Sequence, residues 1–147
     1  MPAPPASLLE NLARAAFDSA GLRGELAPDI AAATAKTCGQ ALAMFLAQAM
    51  VLPGIPATID PISGAGSTAG PGKLLPPPAG GPVAPQLRGL ALVNLRSAGI
   101  TGEDAPALAA VIAGAIAQGL LLFCASAMIS PGIAVAGFVT TAPGRLM

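Results

Sequence analysis

The sequence predicts an all-α protein made by tandem duplication. A helix–turn–long-helix unit occurs twice, and each copy runs on into an extended Pro/Gly-rich arm. Three observations predict this. A shift of 78 positions lays Ser19-Ala20-Gly21 on Ser97-Ala98-Gly99, Gly24-Glu25 on Gly102-Glu103 and Pro53-Gly54-Ile55 on Pro131-Gly132-Ile133. The same shift lays Gln40, Phe45 and Met50 on Gln118, Phe123 and Met128. Second, apolar residues recur at helical intervals in both copies. Third, the segments after each copy carry too much proline and glycine to sustain a helix. The copies therefore read as residues 6–55 and 86–133, and the arms as 56–85 and 134–147.

The first helix opens near Ser7, a candidate N-cap with Glu10 at capping-box spacing. Leu8, Leu9, Leu12, Ala16 and Phe17 form its apolar side, and Gly21 suits the left-handed position that ends it. Pro28 fits the first turn of the second helix, where a missing N–H costs nothing, and Asp29 favours the positive end of its dipole. That helix is expected to run through Met50 to the Pro53-Gly54 stop. Ile30, Thr34, Cys38, Leu42 and Phe45 lie on one face, while Gly39, Ala43 and Ala47 with Lys36 make a small-residue face that another helix can approach closely. The arm that follows holds Ile59-Asp60-Pro61, Gly70-Pro71-Gly72 and Pro76-Pro77-Pro78, and reads as extended chain with polyproline geometry near its end.

In the second copy, Leu87, Leu90, Ala91, Val93 and Leu95 mark the first helix, with Gly99 ending it. The long helix opens at Ala105-Pro106, carries no charge over residues 107–129, and stops at Pro131-Gly132. Residues 133–141 allow a short strand with Val135, Gly137 and Val139 on one side. Pro71-Gly72-Lys73-Leu74 then recurs as Pro143-Gly144-Arg145-Leu146, an offset of 72, so the second arm is six residues shorter. Long helices sharing a core would bury Leu42, Phe45, Met50, Leu120, Phe123 and Met128.

Composition narrows the function. The 147 residues are 54% hydrophobic and 10% charged with zero formal net charge, well below the roughly 25% charged residues of an ordinary soluble domain. So little charge suits a surface covered by other subunits or by lipid. The seven basic residues are scattered and there is no Trp or Tyr, which argues against nucleic-acid binding. No histidine is present, removing the usual general base and the commonest metal ligand. Cys38 and Cys124 do not occupy equivalent positions of the repeat and read as small buried hydrophobes. The one adjacent acidic pair, Glu103-Asp104, sits at a helix start where charge compensation explains it. The stretch from Gly64 to Lys73 fails as a phosphate loop, since Ser67 stands where the first glycine is needed and Leu74 replaces the hydroxyl. No enzyme activity, cofactor or metal is expected.

The reading that remains is a non-enzymatic structural subunit of a larger multi-chain assembly, such as a phage-like particle, a contractile or tubular machine, or an envelope complex. Its partners are other protein subunits, in a homo- or hetero-oligomer. Helices would form the core and the arms would dock on neighbours through Ile59, Ile62, Lys73, Leu74, Leu75, Phe138, Arg145 and Leu146. The N-terminus lacks a basic n-region and shows no secretory signal pattern, consistent with cytoplasmic synthesis and incorporation into an assembly. The alternative is a small integral membrane protein with a span at 106–130 and, less well, at 28–51, where Lys36 would lie inside the bilayer.

Overall fold

The computed structural model describes residues 5–21, 24–78, 80–137 and 139–141. In chain order these form α1 (Ala6–Ser19), α2 (Ala27–Gln48), β1 (Ala57–Ile59), β2 (Ala65–Thr68), β3 (Gly72–Lys73), α3 (Ala84–Ser97), α4 (Ala105–Ser126), β4 (Met128–Ile129), β5 (Ala134–Ala136) and β6 (Val139–Thr140). The helix boundaries repeat to the residue: α3 starts and ends 78 positions after α1, and α4 does so after α2. The local signals explain the match. Pro28 and Pro106 occupy the second position of their helices, where no intrahelical donor is missed. Gly21 and Gly99 take φ of 73° and 81° just beyond the ends of α1 and α3, in the left-handed region that favours glycine.

Two starting and stopping signals behave differently from the sequence reading. α1 begins at Ala6 with Pro5 as its N-cap, so Ser7 lies inside the helix. Glu10 instead accepts a hydrogen bond from Arg14 Nη2 at 2.6 Å, an exposed ion pair one turn apart. The long helices end at Gln48 and Ser126, short of Met50 and Ile129.

The chain divides into two units, and the division runs across the repeat. One unit (Met1–Gln48 with Gly81–Leu120) gathers α1, α2, α3 and α4 as far as Leu120, and the other (Ala49–Gly80 with Leu121–Met147) gathers both arms and the end of α4. In the helical unit α1 and α3 each pack on α2. Its main core joins Ala33 of α2, Ala91 and Leu95 of α3, Ile100 of the turn, and Ala105, Ala109 and Ile112 of α4. Alanines let the helix axes approach closely.

The arm unit corrects the all-α expectation. Largely helical overall, the protein is mixed α/β, with a four-stranded antiparallel sheet in the order β1-β2-β5-β6 and a two-stranded pair β3-β4. The expected single strand over 133–141 is a hairpin, β5–β6. Segment 72–75 runs between the two copies of one dipeptide. On one side Val51 bridges Leu74, with bonds from Leu52 N–H to Lys73 O and from Leu75 N–H to Met50 O, each 2.8 Å. On the other, Gly72 pairs with Ile129 and Lys73 with Met128. That pairing is why the long helices stop early. Strands of two to four residues made mostly of Ala, Gly, Ser and Thr carry no readable alternation, and the prolines lie where their missing donors are not needed. Pro56, for example, supplies only its carbonyl, to Ala69 N–H at 2.8 Å.

Candidate interaction surfaces

Among the described residues no cluster of three or more Cys, Asp or Glu could hold a metal ion. The thiols Cys38 and Cys124 are free, half-buried and buried respectively, and burial pushes both upward in pKa. What stands out chemically is uncovered apolar surface. α4 is free of charge with a mean hydropathy of 2.2, yet only 28% of its most apolar window is buried. Val111, Leu122 and Phe123 are exposed at 68%, 72% and 41%.

The corresponding face of α2 shows what such a face is built to receive. Ala33, Thr37, Ala41 and Phe45 recur every four residues and are all at most 3% exposed. α3 lies against them. Asn94 of α3 donates through Nδ2 to Thr37 Oγ1 at 3.0 Å and to Gln40 Oε1 at 2.8 Å, while Thr37 donates to Ala33 O at 2.7 Å. Gly81, just before α3, lies so near the Phe45 ring that a Cβ there would come within 2.8 Å of Cδ2. On α4 the equivalents of those four positions are Val111, Ala115, Gly119 and Phe123, and all four are exposed. A shallow cavity of about 280 Å³ also opens in the helical unit, where Glu10, Lys36, Asn94 and Ser97 meet Ala32, Ala33 and Ala98.

The core expectation therefore holds for one copy more than the other. Phe45 and Leu120 are buried and Leu42 is half-buried, but Met50, Phe123 and Met128 are exposed at 57%, 41% and 39%.

Of the residues singled out in the arms, Ile59 lies in β1 and is 38% exposed, and Ile62, in the turn after it, is 96% exposed. That turn is held by Asp60, whose Oδ1 accepts from Ile62 N–H at 2.8 Å and Ser63 N–H at 3.4 Å. These donors, Ile62 first, hold the Asp60 carboxyl below its ordinary pKa. Lys73 is exposed in β3, whereas Leu74 is 5% exposed and Leu75 half-buried, so the arm-end leucine packs inside its own chain. Phe138, Arg145 and Leu146 lie outside the described residues. The Asn94–Thr37 link escaped the sequence reading. Its only signal was an asparagine on the apolar side of a helix, facing a threonine in the other copy. Comparison with known proteins finds no matching family model, curated protein or solved structure.

Proposed function

We propose that the protein is a structural subunit whose role is to be packed into a multi-chain assembly. The observation that carries this reading is the exposed face of α4, Val111, Ala115, Gly119 and Phe123, whose counterpart on α2, Ala33, Thr37, Ala41 and Phe45, is buried within the chain. Covering a large apolar side chain is worth about 1.5–3 kcal/mol, so a face of this size favours a partner strongly.

Lipid is the competing cover, because α2 and α4 are each 22 residues long and apolar enough to cross a bilayer by length and composition. The helical core argues for protein. α3 packs with α4 in one cluster and carries Arg88 and Arg96, both exposed. A bilayer around α4 would draw these arginines toward hydrocarbon, at about 2.5–3.5 kcal/mol each near its centre. Lys36, exposed on α2, adds a third charge.

The test is fractionation of cells producing the full chain, followed by sedimentation of the soluble material. An assembly subunit leaves the membrane fraction in alkaline carbonate and sediments well above its 14.2 kDa chain mass. Retention in carbonate-washed membranes would overturn the reading in favour of lipid. A soluble species of single-chain mass at every concentration, with no co-sedimenting protein, would overturn both.

A further inference from the structure

The four-stranded sheet contains the two copies of one hairpin. Ala57↔Thr68 and Thr58↔Ser67 in β1–β2 correspond to Val135↔Thr140 and Ala136↔Val139 in β5–β6. The bond from Ala69 N–H to Pro56 O recurs from Thr141 N–H to Ala134 O, both 2.8 Å. First strands correspond by a shift of 78 and second strands by 72, and the six missing residues all come out of the hairpin loop. The two hairpins are not joined symmetrically. β2, the second strand of the first, pairs with β5, the first strand of the second, through Gly66↔Val135 and Ser67↔Ala134. Each hairpin thus offers a different edge to this contact, and the complementary halves remain over at the two ends of the sheet. The outer edge of β6 copies the edge of β2 that β5 occupies, and the outer edge of β1 copies the edge of β5 that β2 occupies.

Both leftover edges are equipped for pairing. Bonds from Asp60 N–H to Ala65 O and from Ala69 N–H to Pro56 O set the ladder phase, and by antiparallel alternation the N–H and C=O of Ala57 and Ile59 turn away from β2. The Thr141–Ala134 bond likewise turns Thr140 away from β5. All three residues of β1 and both of β6 are exposed, and none is charged or proline; Pro56, just before β1, turns its backbone toward β2, so its missing N–H is not needed at the outer edge.

The geometry points to a second copy of this chain as the occupant: β1 of one chain adds antiparallel to β6 of another, in the register that joins β5 to β2, with Val139 opposite Pro56. This rests on the assembly reading above and names the partner. The helices, taken separately, lead to the same partner. The exposed α4 face of Val111, Ala115, Gly119 and Phe123 copies the α2 face that receives α3, and the copy of α3 is α1, where the counterparts of the buried Leu87, Ala91, Asn94 and Leu95 are Leu9, Ala13 and Phe17, half-buried, and Ala16, exposed, with Leu8 and Leu12 beside them exposed at 51% and 60%. Where Asn94 meets Thr37 inside the chain, α1 brings Ala16 and α4 presents Ala115, so that one polar pair is replaced by alanine on both sides, while Gln118, the counterpart of the second acceptor Gln40, stays exposed on α4. Such a contact is head-to-tail, and repetition yields a ring or a filament.

The test uses the full chain with paired cysteines. Residues directly opposite in a non-hydrogen-bonded antiparallel pair have Cα atoms about 4.5 Å apart, within disulfide range. Mild oxidation of the V139C/P56C double variant should therefore give a covalent ladder of dimers, trimers and longer products, with the wild-type chain as background control. V139C mixed with P56C should give dimers only, and each single variant alone none. In parallel, A115E, at an exposed position, should keep the wild-type circular dichroism and sediment as single chains where the wild type assembles. Dimers from V139C alone would show symmetric edge pairing and overturn the head-to-tail contact. Assembly of the wild-type chain with no ladder from the double variant, and A115E assembling equally well, would also overturn it and leave the assembly reading standing. A chain that neither ladders nor assembles with anything overturns both.

Discussion

Replacing Phe45 and Phe123 by alanine, one at a time, asks whether equivalent residues of the two copies do different work. Phe45 is 0% exposed, packed in the helical unit with Gly81 against its ring. Removing about 150 Å² of buried apolar area at about 25 cal/mol per Å² costs about 4 kcal/mol, within the about 3–5 kcal/mol seen for such truncations when a cavity remains. Phe123, 41% exposed, forfeits only the covered part, about 2 kcal/mol, and water enters the space left behind. Urea unfolding followed by circular dichroism at 222 nm, at concentrations below assembly, reads the difference. Phe45→Ala should lower the midpoint markedly, a thermal shift of about 8–16 °C at about 2–4 °C per kcal/mol for a chain of this size. Phe123→Ala should shift it by about half as much and reduce sedimenting material at higher concentration. Equal destabilisation by the two substitutions, with assembly unchanged, would refute the argument that α4 keeps this face for a partner.

Three further outcomes follow from side chains in view. Asn94→Ala should cost about 1–3 kcal/mol, and a double-mutant cycle with Thr37→Ala should show about 1 kcal/mol of coupling; additive effects would deny that their 3.0 Å bond joins the copies. Because the folded carboxyl of Asp60 is held below its ordinary pKa, its support of the β1–β2 turn is complete above the unfolded pKa of about 3.9 and fades as pH falls through the lower folded value. Amide protection at Ile62 and Ser63, taken relative to the intrinsic exchange rate at each pH, should therefore fall below about pH 4 in the wild type, whereas Asp60→Asn, which keeps the acceptor oxygen, should show no such step; identical profiles would rule out the carboxylate as the switch. Cys38 and Cys124, free and raised in pKa by burial, should react with iodoacetamide at pH 8 well below the rate of a model thiol until the chain is unfolded; rapid labelling of the folded chain would contradict their burial.

The shortfalls of the sequence reading have one pattern. The exposed strand edges and the exposed side of α4 are defined by backbone and packing, whereas the conspicuous feature of the sequence is the Lys73-Leu74 pair, named there beside Ile59 and Ile62. Leu74 bridges to Val51 and is consumed within its own chain. A repeated cation–leucine pair is visible in letters, but an unfilled edge exists only once its neighbours are in place. The all-α expectation failed similarly, since Ala57–Ile59 and Ala65–Thr68 are strands by virtue of their partners rather than their composition.

Taken by itself, the sequence determined the duplication, the four helices and their turns, because these depend on interactions that close within a few residues. An α-helical hydrogen bond spans four positions, the apolar stripe repeats every three or four, and Pro28, Pro106, Gly21 and Gly99 act where they stand. Tertiary structure alone decided the sheet, whose β2–β5 pairing joins residues about 70 positions apart, and it decided which copy of each repeated residue is covered. Phe45 and Phe123 are the same letter in the same local pattern. One is sealed and the other open because α3, with the segment leading into it, lies on α2, and the matching face of α4 receives no equivalent helix within the described chain. Burial is a relation between copies, and two identical stretches of sequence cannot both be the inner one.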